Sequence, residues 1–233
     1  MTSSQTSTTV VLVHGAWADG SSWQRVVPLL LEAGVTVRAV QNPTTSLADD
    51  VAATQRVLKT IEGPVVLVGH SWGGAVIAEA GNDPKVKALV FVAALPPGTG
   101  QSVGDLVGSH PTPPGLSKIT DDGNGFLWLS EEGWNDYVGQ DLPKNETTLL
   151  YTLQPPLPVT TFGDKISKAA TETRPNWYIV STEDCIVSVE LQYELAKGIK
   201  AKTTELAASH LSLLSKPREV ADVILDAVKT VSA

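Results

Sequence analysis

Residues Gly69-His70-Ser71-Trp72-Gly73 read G-x-S-x-G. They follow the apolar run Val65–Val68 and precede the apolar stretch Ala75–Ala80. A serine in a sharp strand-to-helix turn is held with strained backbone angles and an exposed hydroxyl. The flanking glycines let the helix pack on the strand without side chains between them, and Gly74 adds clearance. A serine hydroxyl is a weak nucleophile at neutral pH. It needs a general base within hydrogen-bond reach, and the base needs an orienting acid. The chain has four histidines: His14, His70, His110 and His210. Behind such a turn the order is serine, acid, histidine. Only His210, in the loop AASHLS, leaves room for an acid in between. The run Trp177–Val180 ends in Ser181-Thr182-Glu183-Asp184-Cys185, which makes Asp184 the candidate acid and Glu183 the alternative. Asp105, Asp121, Asp122, Asp141 and Asp164 lie in irregular chain that fixes no carboxylate.

An oxyanion formed at Ser71 needs backbone donors, and each one removed costs about 3–4 kcal/mol. The N–H of Trp72 is one candidate. Ala16, in His14-Gly15-Ala16-Trp17 after the first apolar run, is the other. His14 reads as a residue that fixes this loop by hydrogen bonds. Gly15, Trp17 and Trp128 are the candidate substrate contacts. The Trp72 side chain either bounds an acyl pocket or packs under the turn. Trp134 is a further candidate for an apolar site, while Trp23 and Trp177 fit the core equally well. Cys185 has no basic sequence neighbour and reads as a small buried hydrophobe. No metal-ligand spacing occurs, and GHSWGG lacks the lysine of a phosphate loop, so neither metal nor cofactor is expected.

These residues need a scaffold. Short apolar runs recur at Val10–Val13, Val35–Val40, Val65–Val68, Ala88–Val92 and Trp177–Val180, with a weaker one at Lys202–Leu206. Such valine-rich runs suit strands buried on both faces of a parallel sheet. Helical patterns alternate with them. Ser46 caps a helix facing the core through Leu47, Val51, Leu58 and Ile61, and Gly63-Pro64 stops it. A second spans Ser22–Ala33, with Pro28 expected to kink or break it. Others run from Ser188 to Lys197 and along Val220, Val223, Ile224, Ala227, Val228 and Val231. The alternation predicts an α/β fold with a right-handed, mostly parallel sheet and helices on both faces. Residues 96–165 break it. They hold nine of the fifteen prolines and ten of the nineteen glycines, and no strand is expected there. The segment also carries Phe126, Trp128, Trp134, Tyr137 and Tyr151, which need something to cover. It reads as a lid inserted between core segments 1–95 and 166–233.

Composition limits the function classes. The 233 residues carry 17 Lys and Arg against 25 Asp and Glu, a net charge of −8, with 42% hydrophobic and 18% charged residues. That balance opposes disorder, and the acidic charge opposes nucleic-acid binding. One cysteine excludes an internal disulfide and a cysteine-rich zinc site. No apolar run of membrane-spanning length occurs, and MTSSQTSTT lacks the features of a signal peptide. A short frayed tail, a cytoplasmic location and no membrane partner are expected. The expected partner is a small-molecule ester. The oligomeric state stays open, a homodimer included.

Together VLVHGAWADGSSW, GHSWGG, STEDCIV and SHLSLLSKP resemble the α/β-hydrolase superfamily over nearly the whole chain. Within it, the chain is similar to compact bacterial esterases related to plant salicylate-ester hydrolases and hydroxynitrile lyases. The resemblance implies Ser71 as nucleophile, Asp184 as acid, His210 as base, and Ala16 and Trp72 as oxyanion donors. It also implies the lid, and a six-stranded sheet, because the chain begins almost at the strand VVLV. The lyases carry threonine at the position of Gly15, glutamate at His70 and lysine at Leu211. Cyanide release needs a cation to hold the leaving anion, so Leu211 weighs most for an esterase. The expectation is a serine esterase cleaving small carboxylic esters through an acyl-enzyme. A hydroxynitrile lyase or other C–C bond-cleaving enzyme, and a non-catalytic small-molecule sensor, are the alternatives.

Overall fold

Residues 7–232 are described in the computed structural model; the expected tail falls largely on residues 1–6, outside them. The chain begins with strand β1 (Thr9–Val13), a 3-10 turn (Gly20–Trp23), helix α1 (Val26–Glu32), strand β2 (Thr36–Ala39) and helix α2 (Leu47–Lys59). Strand β3 (Val65–His70), helix α3 (Gly73–Ala80) and strand β4 (Val86–Val92) follow. The next stretch holds α4 (Val103–Val107), β5 (Ile119–Asp121), β6 (Phe126–Leu129), α5 (Glu131–Gly133), a π-helical turn (Trp134–Val138), α6 (Lys144–Leu153) and β7 (Leu157–Pro158). The chain then returns through β8 (Asn176–Ser181), α7 (Val189–Gly198), β9 (Lys202–Leu206), α8 (Ser212–Ser215) and α9 (Pro217–Ser232).

The valine-rich runs form a six-stranded sheet in the order β2-β1-β3-β4-β8-β9, every neighbouring pair parallel. β1, β3 and β8 are buried along their whole length, as strands covered on both faces must be. The edge strands β2 and β9 are largely exposed and carry Arg38, Lys202 and Glu205, charges that discourage further pairing. From β1 the chain moves one way along the sheet to β2, and from β3 it moves the other way to β4. Right-handed crossovers therefore put α1 on one face and α2 and α3 on the other. α9 packs with α1, and α2 with α3. The reversal leaves a crevice beyond the carboxyl ends of β1 and β3, where open α/β sheets bind ligands. His14-Gly15-Ala16-Trp17 leaves one of these ends and Ser71 the other.

Three features of the fold depart from the expectations above. Pro28 breaks nothing: it sits in the first turn of α1, where its missing N–H has no helical acceptor, and the chain turns earlier, at Gly20–Trp23. Residues 96–165 do contain strands, since β5, β6 and β7 form a small antiparallel sheet. Cys185 is half-buried, with Sγ 3.7 Å from the Glu183 carbonyl.

Candidate active site

Ser71 follows directly on β3 at φ +51°, a left-handed conformation that costs a non-glycine residue roughly 1–2 kcal/mol. The surrounding backbone imposes it. Ser71 N–H donates to the Val92 carbonyl, and Leu95 N–H donates to the Ser71 carbonyl. α3 packs so closely here that a Cβ on Gly69 would stand 2.5 Å from the Gly73 carbonyl, and one on Gly73 would stand 2.6 Å from the Val13 carbonyl. The G-x-S-x-G spacing is thus a clearance requirement at both glycines.

His210 Nδ1 lies 2.6 Å from Asp184 Oδ2. Asp184 Oδ2 also accepts from Gln192 Nε2, and Oδ1 accepts from the Ile186 and Val187 N–H groups. Glu183, the alternative acid, is exposed. His70 Nε2 donates to the His210 carbonyl at 2.9 Å, and the two rings stand 4.7 Å apart. Burial holds the His70 pKa well below its ordinary value, with His210 adding to the effect. His14 Nδ1 donates to the Gly15 carbonyl, and its Nε2 accepts from Asn42 N–H, so the ring is a neutral clamp on the loop after β1. Burial lowers its pKa as well. His110 lies elsewhere, 3.4 Å from Glu194.

Two cavities meet at Ser71. The larger, about 340 Å3, is bordered by Ala16, Trp17, Trp72, Val107, Leu127 and Phe162 among others. The smaller, about 30 Å3, is bordered by Ser71, His210, His70, Trp134 and Leu211. That is room for one water-sized group. Among the described residues, His70 Nδ1 and Trp134 Nε1 are buried without a protein partner. The Ala16 and Trp72 N–H groups likewise have no protein acceptor among the described residues, and both residues border the larger cavity beside Ser71. Gly15 brings the loop against the serine, for a Cβ there would stand 3.0 Å from Ser71 Cβ.

The expected substrate contacts separate. Trp17 borders both cavities, and its Nε1 donates to the Leu127 carbonyl. Trp128 is a correction: its Nε1 lies 3.5 Å from Asp122 in exposed surroundings, and it borders neither cavity. Alternation along β6 explains this, since Leu127 and Leu129 face the cavities and Trp128 points away. Trp72 does both things left open for it, bordering the cavity while its indole is buried against Asp50. Gln192 and Asp50 were missed. Each is a polar residue set in a helix's buried stripe, a signal readable from spacing. Leu127 and Phe162 had no such signal, because irregular chain brings them to the site.

The Alpha/beta hydrolase family model matches residues 10–223, and the chain belongs to that family. It is similar to the pyrethroid hydrolase of Sphingobium wenxiniae, 28% identical over 95% of this chain and 88% of that one. It is also similar to methylesterase 2 of Arabidopsis thaliana, 28% identical over 92% of this chain and 94% of that one. The crystal structure of polyneuridine aldehyde esterase superposes with a TM-score of 0.82 at 25% identity, covering 96% of this chain and 99% of that one. The chain is an esterase-type α/β-hydrolase enzyme. No helix among the described residues is long and apolar enough to cross a membrane.

Proposed function

We propose that the enzyme cleaves small carboxylic esters through a Ser71–His210–Asp184 triad. Ser71 attacks the ester carbonyl while His210 Nε2 takes its proton, and the Ala16 and Trp72 N–H groups hold the oxyanion. His210 returns the proton to the leaving alkoxide, then activates the water that frees the acid. Asp184 keeps His210 Nδ1 protonated and steadies the imidazolium. The observation that carries this reading is the 2.6 Å contact between His210 and Asp184 on a histidine that shares a cavity with Ser71.

The two cavities divide the ester. The leaving oxygen has to stand at His210, which borders the 30 Å3 space, so that side takes a small alcohol. The 340 Å3 apolar cavity takes the acyl part, and residues of segment 96–165 roof it as a lid. Esters of a bulky apolar acid with a methanol-sized alcohol fit this partition, as the name methylesterase of one relative would suggest. Among the described residues no lysine or arginine borders either cavity, which weighs against cyanide release. Fluorophosphonate labelling and aryl acetate hydrolysis test the reading. Both should vanish in Ser71→Ala, and equal labelling and turnover in the variant would sink it.

A further inference from the structure

Helix α2 carries a carboxylate where its buried stripe calls for an apolar side chain. Asp50 lies on that stripe with Leu47, Val51 and Thr54 and is fully buried. A buried carboxylate is costly unless its oxygens are bonded. Oδ1 accepts from the Thr44 N–H and Oδ2 from Trp72 Nε1, each at 2.8 Å. Neither donor is charged, and among the described residues no lysine or arginine pairs with Asp50. Burial pushes its pKa up to about 6, while the bonds from Trp72 and Thr44 pull it back. An apolar side chain would fill the place at less cost. A carboxylate can do what hydrocarbon cannot: fix the rotation of an indole by its N–H.

The indole so fixed follows the nucleophile and borders the larger cavity. Its ring meets Phe162 edge to face at 5.9 Å, and Phe162 meets Trp17 at the same distance. We propose that Asp50 is a positioning residue for acyl selectivity: by holding the Trp72 indole, it sets the cavity wall beside Ser71 and so the acyl length accepted. Asp50 itself borders neither cavity. The inference rests on the esterase reading above.

Asp50→Asn keeps the shape but turns one acceptor into a donor, so either Trp72 or Thr44 is released. The test measures kcat and KM for p-nitrophenyl acetate, butyrate, hexanoate and octanoate with wild type, Asp50→Asn, Trp72→Phe and the double variant. Asp50→Asn should change the octanoate-to-acetate ratio of kcat/KM by about tenfold while acetate turnover stays close to wild type. Trp72→Phe should shift the ratio the same way, and the double variant should match Trp72→Phe, since Asp50 acts through that ring. A uniform loss across the series, as a purely structural role would give, overturns the proposal, and so do additive shifts. If Asp50→Asn does not fold, Trp72→Phe is compared with Asp50→Leu/Trp72→Phe; coinciding profiles support the proposal and a further shift overturns it. In a Ser71→Ala background, affinities for methyl ketones from 2-butanone to 2-decanone read the same wall without turnover. A shifted ketone profile in Asp50→Asn without any wild-type ester turnover removes the esterase reading and upholds the role of Asp50. Wild-type turnover with an unshifted profile does the reverse.

Discussion

Asp184 is fixed from every side: Ile186, Val187, Gln192 and His210 all bond its two oxygens. Replacing it with asparagine offers His210 Nδ1 an amide N–H, which stabilises the ring in the tautomer that cannot take the serine proton. Asp184→Asn should therefore lower kcat by about 10^4 with the fold retained, while Glu183→Gln, altering an exposed side chain, leaves turnover unchanged. Steady-state assays of an aryl ester beside circular dichroism spectra check both. Asp50 makes a separate prediction about stability. Its pKa of about 6 in the folded protein stands above the ordinary 3.8. Across that window the folded state keeps a proton that the unfolded chain has released, so stability falls as pH rises. Once pH exceeds the folded pKa, the loss amounts to about 3 kcal/mol. Asp49, Asp105, Asp122 and Asp226 have lowered pKa values and act in the opposite sense. They cancel when Asp50→Asn is compared with wild type. The variant should gain about 2.5 kcal/mol relative to wild type between roughly pH 4 and pH 7. Parallel urea-unfolding curves at the two pH values would refute this.

At the scale of elements, the turn at Ser71 depends on β1, β3 and α3 meeting almost backbone to backbone. Gly73→Ala places a methyl 2.6 Å from the Val13 carbonyl, which cannot swing aside because β1 is hydrogen-bonded on both edges. The variant should lose about 3 kcal/mol or more, read as a lower urea midpoint, together with ester turnover as α3 moves off the strand. Legibility in the sequence followed the length and burial of each element. β3 and β8 were plain because their apolar runs are continuous and fully buried. The cap at Ser46 was plain because its side-chain oxygen meets the Asp49 N–H three residues on. β5 and β7 were not, at three and two residues, one of them ending on a proline. Their pairing is with β6, which borders the cavities through Leu127 and Leu129, and no local pattern encodes it. The order Ser71, Asp184, His210 proposed above is readable along the chain, whereas the cavity walls are not, because Leu127 and Phe162 arrive from that same irregular stretch.

Across the whole molecule, residues 96–165 are moored to the core at several points around the site. Trp17 Nε1 donates to the Leu127 carbonyl, and Gly115 N–H donates to the Cys185 carbonyl. Contrary to the expectation that this stretch fixes no carboxylate, Asp141 accepts from the N–H of Ser209, next to His210, and Asp164 accepts from the Leu47 N–H. The strongest charged mooring is Arg25, just ahead of α1. Its Nη2 meets both oxygens of Glu146 on α6 at 2.7 Å, and its Nη1 donates to the Leu214 carbonyl on α8. One side chain thus joins α6, the start of α1 and the segment that follows His210. Both partners are partly exposed, at 38% and 30% of their side-chain surface, so solvent screening keeps the pair to about 1 kcal/mol. A bond of that size contributes little to global unfolding but much to a local opening of α6, which buries only Thr147 in its ten residues. Arg25→Met should leave the global urea midpoint close to wild type. Amide hydrogen exchange should instead rise about fivefold along α6, while the amides of β3 and β8 stay protected. Raising ionic strength should narrow the gap between wild type and variant, because the mooring being removed is electrostatic. Exchange rising equally in β3 would mean that α6 does not open on its own but unfolds together with the main sheet.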